Sequence, residues 1–411
     1  MASLRALLSV GIFLLATLLA HGFDHKRVCY FTVGASPGGK TFLPENINAT
    51  IKRMRALKAI NPDLKIMVSI GGNSKTAKVV ATIARTRRKR RRFARNCAVF
   101  LRRRNIDGLD LSFRHPLSGP SSTLRRYQYS YLVKALRRGF RIYGRRRKRP
   151  ALLLSASVDP RKEVVDRAYN VKHIAKKLDW ISVNAFDLLD PRRRTLQHHT
   201  ALYGSAKAPK QDRDLNVADV LNYWVRKGVP KRKLLLGLSA HGRVFKLLSD
   251  TKHRIGDPTG KAKPRILSYA QVCVFGGLIV RQNEMKVPYA YNKHSWVGFD
   301  DPESLREKVR WMKKNGFGGF SFSSLNLDDF TGSACHKASF PLLTAASGVL
   351  ARPSVTHARP SFTQVRPSVP QAKHFYSPVK QSTLPHDSAD VPNAAVDSGP
   401  KKRQKRLVSN Q

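Results

Sequence analysis

The chain has 411 residues, 41% of them hydrophobic, the proportion of a folded protein with a substantial core. Its 77 Lys+Arg against 26 Asp+Glu give a formal net charge of +51, a surface that repels itself and attracts nucleic acid, acidic glycans, acidic matrix proteins or anionic membranes. No segment beyond the N-terminus is long and apolar enough to span a bilayer as a helix, so no membrane span is expected there.

Residues 1–22, MASLRALLSVGIFLLATLLAHG, carry one early cation, Arg5, and an apolar run from Ala6 to Ala20. Ala20 and Gly22 are small residues spaced for signal-peptidase cleavage, and the run falls short of the about 20 residues of a spanning helix. The segment reads as a signal peptide, so a secreted, extracellular destination is expected and physiological nucleic acid is not expected as a partner. Strand-like apolar runs follow: VCYFTV (28–33), LKIMVSI (64–70), IDGLDLSF (106–113), LLLSASV (152–158), WISVNAF (180–186), KLLLGLSA (233–240) and FGGFSFSSL (317–325). Helix-like segments lie between them, among them Thr50–Ile60, Arg92–Arg104, Leu124–Arg138, Val217–Lys227 and Pro302–Asn315. In the second, Phe93, Cys97, Phe100 and Leu101 recur with a helical period. The alternation predicts a parallel sheet buried on both faces, and seven or eight such units over about 320 residues predict a closed TIM-type (β/α)8 barrel.

Two basic runs interrupt this pattern, RTRRKRRR (85–92) and GRRRKR (144–149). They place Arg87, Arg88, Lys89, Arg90, Arg91 and Arg92, then Arg145, Arg146, Arg147, Lys148 and Arg149, where loops or solvated helix ends belong. Blocks this dense often serve as interaction sites, and without interleaved aromatic residues they suit polyanions rather than stacked bases. Residues 243–298 break the alternation and read as an insertion before the last strand, within a domain spanning 23–346. From 347 to 411 the chain turns basic and Pro/Ser-rich, with "RPS" at Arg352, Arg359 and Arg366 and a closing KKRQKR (401–406). This tail cannot bury enough surface to fold alone.

The stretch DGLDLSFRHP (107–116) ends the third strand-like run, where a barrel carries its chemistry. Cys29, Cys97, Cys273 and Cys335 allow three complete pairings, and Asn48-Ala-Thr is a glycosylation sequon. No His/Asp/Cys grouping has metal spacing, and there is neither a Gly-rich phosphate loop nor a nucleophile elbow. No cofactor and no metal are expected.

From Val28 to about Leu343 the chain resembles the family-18 glycoside hydrolases, the chitinases and chitinase-like lectins. The resemblance runs through VCYFT, FLPENIN, LKIMVSIGG, DGLDL, AYNVKHIAKKLDWISVNAFDL, LNVADVLNYW, GLSAHGRVF, VPYAY, WVGFD and GFGGFSFSSLNLDDFTG. It implies a (β/α)8 barrel, often with a small α+β insertion. It also implies an active loop D-G-x-D-x-D-x-E, whose Glu protonates the glycosidic oxygen while the substrate's acetamido group attacks. Asp107, Gly108 and Asp110 match that loop; Ser112 and Arg114 stand where the last two acids belong. An arginine keeps its proton at any relevant pH, and losing a general acid costs about 10² to 10⁴ in rate. The family's Tyr-Asp pair reads Phe186-Asp187, its Tyr-Gly-Arg reads His241-Gly242-Arg243, its IGGW reads Ile70-Gly71-Gly72-Asn73, and the Trp of its last strand aligns with Ser323. The resemblance further implies a Cys273–Cys335 disulfide. It leaves Cys29 without its usual partner, so Cys29 and Cys97 are free or paired with each other. It also implies a lacking or distorted second strand, since Asn48 runs almost directly into Thr50–Ile60.

These readings converge on a catalytically inactive, secreted chitinase-like protein. Its cleft of Asp110, Arg114, Phe186, Asp187, His241, Arg243 and Ser323 would hold chitin or chito-oligosaccharide weakly. Its basic surface would grip acidic glycans or acidic matrix proteins in an extracellular matrix such as a cuticle or mineralised shell. Asp107 and Asp110 would hold the barrel mouth, and Asp187 would pair with Arg114. The alternatives are residual hydrolysis of β-1,4-linked N-acetylglucosamine polymers and growth-factor-like signalling.

Overall fold

The structure, a computed structural model, describes residues 12–18, 25–33, 47–71, 74–112, 122–190, 192–205 and 214–351. Arg114 and residues 352–411 of the expected tail lie outside them. Along the chain the strands are β1 (Ile12–Leu18), β2 (Lys26–Val33), β3 (Leu64–Gly71), β4 (Gly108–Ser112), β5 (Leu153–Val158), β6 (Trp180–Val183) and β7 (Leu234–Ser239). Then come β8 (His241–Lys246), β9 (Arg265–Ser268), β10 (Leu278–Gln282), β11 (Val287–Tyr291), β12 (Ser295–Gly298) and β13 (Gly319–Ser323). A TIM-type barrel closes in the order β1-β2-β13-β7-β6-β5-β4-β3. β6 and β7 are buried along their whole length, as strands covered by barrel contents on one side and helices on the other must be.

The helices that cover it are α1 (Ile47–Ile60), α2 (Ser74–Ala84), α3 (Arg87–Arg103), α4 (Ser122–Arg146), α5 (Lys162–Ala168), α6 (Val171–Ala175), α7 (Val217–Arg226), α8 (Tyr269–Cys273), α9 (Pro302–Lys314) and α10 (Pro341–Gly348). The helical period expected in α3 is the stripe it buries: Phe93, Ala94, Cys97, Ala98 and Leu101. Phe100 is half-buried instead, under the Arg104 guanidinium at 4.2 Å. In α9, Asp301 accepts from the Ser304 N–H at 2.7 Å and the Ser304 hydroxyl reaches back to the Asp301 N–H at 3.0 Å, with Pro302 in the first turn. That box satisfies donors a helix start leaves open. It seats Leu305, Val309 and Met312 in the core, each side chain stabilising the fold by about 1.5 to 3 kcal/mol.

The missing second strand is replaced. β1 pairs antiparallel with β2, from Ile12 opposite Val33 to Leu18 opposite Arg27, and antiparallel with β3, from Ile12 opposite Ile70 to Leu18 opposite Leu64. The other seven staves are parallel. The open edge expected between β2 and β3 is therefore filled by residues expected to leave with a signal peptide. Without β1, those two strands would stand about 9 to 10 Å apart, twice the strand spacing, with unpaired backbone groups on both.

The insertion is an antiparallel sheet in the order β10-β11-β12-β8-β9 with the short helix α8 at one edge, running from His241 to Gly298. Cys273 at the end of α8 is joined to Cys335, with Cα atoms 5.0 Å apart, tying the insertion to the segment after β13. Cys29 and Cys97 are both free and buried.

Candidate active-site cleft

The cleft floor is Asp110 in the middle of β4. The registers put Ser69 of β3 and Ser155 of β5 level with it, so three inward side chains share one layer of the barrel. The Ser69 hydroxyl donates to Asp110 Oδ2 at 2.7 Å, the Tyr30 hydroxyl to the same oxygen at 3.5 Å, and the Ser155 hydroxyl to Oδ1 at 2.6 Å. Tyr30 is braced in turn by Ser157 at 2.9 Å. Asp110 is 0% exposed; burial pushes its carboxyl above the usual carboxylate range, against the opposing pull of Ser155, Ser69 and Tyr30. A side chain larger than hydrogen at Gly108 would put its Cβ 2.6 Å from Leu153, so the motif's glycine is fixed by the approach of β4 to β5.

The rim is Asp187, four residues beyond β6, with a left-handed backbone (φ 58°) that Asp tolerates better than most residues. Its Oδ1 accepts from Arg243 Nε at 2.7 Å and lies 2.9 Å from His241 Nε2 and 3.6 Å from His199 Nδ1. His241 Nδ1 in turn meets the Ser239 hydroxyl at 2.6 Å. Burial pushes the Asp187 carboxyl up, but His199, His241 and Arg243 together hold it far below the usual carboxylate range. His199 is buried and stacks on His241 with ring centroids 5.1 Å apart; burial lowers its pKa to about 4, opposed by Asp187. Phe186 packs edge-on against His241. Ser323 ends β13 half-buried, its carbonyl accepting from the Ala240 N–H at 3.0 Å.

Two expectations change here, and a third falls outside the described residues. Asp107 is not at the mouth: it precedes β4, at the opposite end of the barrel, where it accepts from Lys58 Nζ at 2.6 Å and the Ile66 N–H at 2.7 Å and ties α1 and β3 to β4. The expected Asp187–Arg114 pair falls on a residue outside those described, whereas Arg243 and His241 bind Asp187 directly. A metal-like grouping does exist, because Asp187, His199 and His241 each offer a ligand atom within 4.8 Å of the others. A cation there would sit beside the fixed Arg243 charge, and Asp187 already has Arg243 and His241 as hydrogen-bond partners without it. Sequence reasoning missed His199, Tyr30, Ser69, Ser155 and Ser239. For Tyr30, Ser69, Ser155 and Ser239 the signal was polar residues recurring inside otherwise apolar strand runs; His199, in a loop, had none.

The polyanion candidates are placed by two helix ends. Arg87 to Arg92 form the first turns of α3, exposed except for Arg90, which donates to the Ala84 carbonyl at 2.6 Å and lies over the Tyr131 ring. Arg145 and Arg146 end α4, and Arg147, Lys148 and Arg149 turn away from it, all exposed. Asn48 lies in the first turn of α1. No helix among the described residues is long and apolar enough to cross a membrane.

The family model "Glycosyl hydrolases family 18" matches residues 27–328, the span that carries every stave but β1. The chain belongs to this family. It is 32% identical to chitotriosidase-1 of Mus musculus over 313 residues, covering 74% of this chain and 67% of that protein. It is 31% identical to oviduct-specific glycoprotein of Sus scrofa over 394 residues, covering 86% and 73%. Among solved structures it matches human YKL-39, described as a pseudo-chitinase with retained chitooligosaccharide binding properties, at TM-score 0.70 and 28% identity over 75% of this chain and 87% of that one.

Proposed function

We propose that this family-18 chain is a catalytically inactive, chitinase-like binding protein of an extracellular matrix, holding chito-oligosaccharide in its mouth and acidic glycans or acidic matrix proteins on its basic surface. The observation that carries the reading is the state of the two cleft carboxyls. Asp187 is held ionised by Arg243 and two histidines, and Asp110 is sealed from solvent, so neither can hand a proton to a glycosidic oxygen. Arg114 cannot do so either. What remains is a set of fixed donors and acceptors that can meet sugar hydroxyl and acetamido groups. The polyanion half rests on cost. Six consecutive cations start α3, with no acidic residue in its first turn, and those of that turn, Arg87 to Arg90, oppose the helix dipole by about 0.3 to 1 kcal/mol each. A bound polyanion would offset that cost.

The apolar N-terminus argues for export, and the Cys273–Cys335 bond suits an oxidising compartment. Cleavage after Gly22 would remove β1, so exported protein beginning at Met1 keeps eight staves and protein beginning at Phe23 has seven. Intact mass of the exported chain separates the two. The binding reading is tested by titrating chitotetraose into the protein and by eluting it from heparin over a salt series. The expected result is saturable chitotetraose binding and late elution; elution at low salt rules out the polyanion half.

A further inference from the structure

The outer wall of the barrel holds a feature that neither the cleft nor the basic runs account for. Between α9 and α10 lies an open groove of about 820 Å³, within the range of natural ligand sites. Its α9 wall carries Arg306, Arg310, Lys313 and Lys314, and its α10 wall carries the small Ala345 and Gly348. The four cations stand at i, i+4, i+7 and i+8 and so share one helix face, spread over about 12 Å at 1.5 Å per residue. Among the described residues only Arg310 has an ion-pair partner, Glu307 on its own helix at 2.8 Å. The helix dipole favours Lys313 and Lys314 in the last turn, but not Arg306 and Arg310 in the middle, where like charges four apart destabilise. In a (β/α) unit the helix runs back from the mouth, so the basic end of α9 points away from Asp110 and Asp187.

We propose that the α9–α10 groove is a binding site for a sulfated or carboxylated oligosaccharide, separate from the mouth. The inference deepens the reading above: a chain that fills both sites bridges neutral and acidic glycans. Arginine forks meet sulfate or carboxylate oxygens in pairs, while the small side chains of α10 leave a smooth wall for a sugar ring. No aromatic residue lines the groove, which disfavours stacked bases. Its walls are helices without a free strand edge, which disfavours an extended acidic peptide.

The test uses the full chain and a size-defined heparin tetrasaccharide as probe, followed by calorimetry. The variant Arg306→Gln, Arg310→Gln, Lys313→Gln is compared with Lys52→Gln, Arg53→Gln, Arg55→Gln, three exposed cations of α1. The groove variant is expected to bind at least about tenfold more weakly, as loss of several charge-assisted contacts requires, and the α1 variant to bind within about twofold of the parent. Chitotetraose affinity is expected unchanged in both, so failure of the groove and failure of the mouth are read separately. Lys313→Gln alone, at an exposed position, repeats the comparison should the triple variant not fold. Equal binding by groove variant and parent overturns the proposal, as does equal displacement of the tetrasaccharide by a polyglutamate of matched charge.

Discussion

Asp110 on the cleft floor and Asp187 on its rim are carboxylates of one barrel, yet their surroundings drive them in opposite directions. Asp110 is held by three hydroxyls and no cation, so burial dominates and its carboxyl rises. Asp187 meets a guanidinium and two imidazoles, which overcome its burial and pull it down. The floor is thus a polar layer inside the barrel wall and depends on the alignment of β2 to β5. The rim is an ionic clamp between β6 and β8 and depends on side chains alone. Floor and rim can change independently, because the two are built on different staves.

The largest effect that separates them is removal of residues 1–22. Floor partners Tyr30 and Ser69 sit on β2 and β3, which β1 joins, whereas the rim lies across the barrel. The truncated chain is expected to lose on the order of 4 kcal/mol or more in stability. Cys29, buried beside Ala16 in the register with its thiol pushed up to about 12 by burial, is expected to become reactive. Cys97 in α3 stays inert. Unchanged melting and thiol labelling after truncation would show that the stave carries no weight.

Asp187→Ala comes next. It leaves the Arg243 guanidinium without its carboxylate at a site only 19% exposed, an expected loss of about 2 to 3 kcal/mol, with weaker chitotetraose binding and an intact Asp110 layer. A loss below about 0.5 kcal/mol, the scale of an ordinary surface change, would mean that the clamp is not formed in solution.

The smallest effect is a matter of pH. Asp187, depressed in the fold, contributes stability that is present above the unfolded carboxylate value of about 4 and is lost as pH falls toward its folded value. Asp110, raised in the fold, does the reverse: the unfolded state gives up its proton first, so stability falls as pH rises through about 4. Asp110→Asn is therefore expected to steepen the gain in stability between about pH 3 and 6, and Asp187→Asn to flatten it. Chemical denaturation at several pH values reads both slopes, and parallel changes in the two variants contradict the assignment.

Much of the barrel was legible because a buried parallel strand announces itself as a continuous apolar run: LKIMVSI, LLLSASV and KLLLGLSA each became a stave. Ile12–Leu18 was not legible as a strand. An apolar leader and an apolar barrel stave share one composition, and only the gap between β2 and β3 distinguishes them. Asp107 was misplaced because a motif gives sequence distance and not the direction of the strand it starts, so a residue three before Asp110 fell at the far end. His199 was hidden because it lies 12 residues from Asp187 and 42 from His241 in a loop without period, and only the fold brings them together.

The most direct test of the account is a product-release assay on purified full-length protein with a chito-oligosaccharide that it binds. The account predicts saturable binding and no reducing ends above the uncatalysed background, in the parent and in Asp110→Asn alike. Turnover by the parent that disappears in Asp110→Asn would contradict it, because the sealed floor carboxyl would then be taking part in bond cleavage.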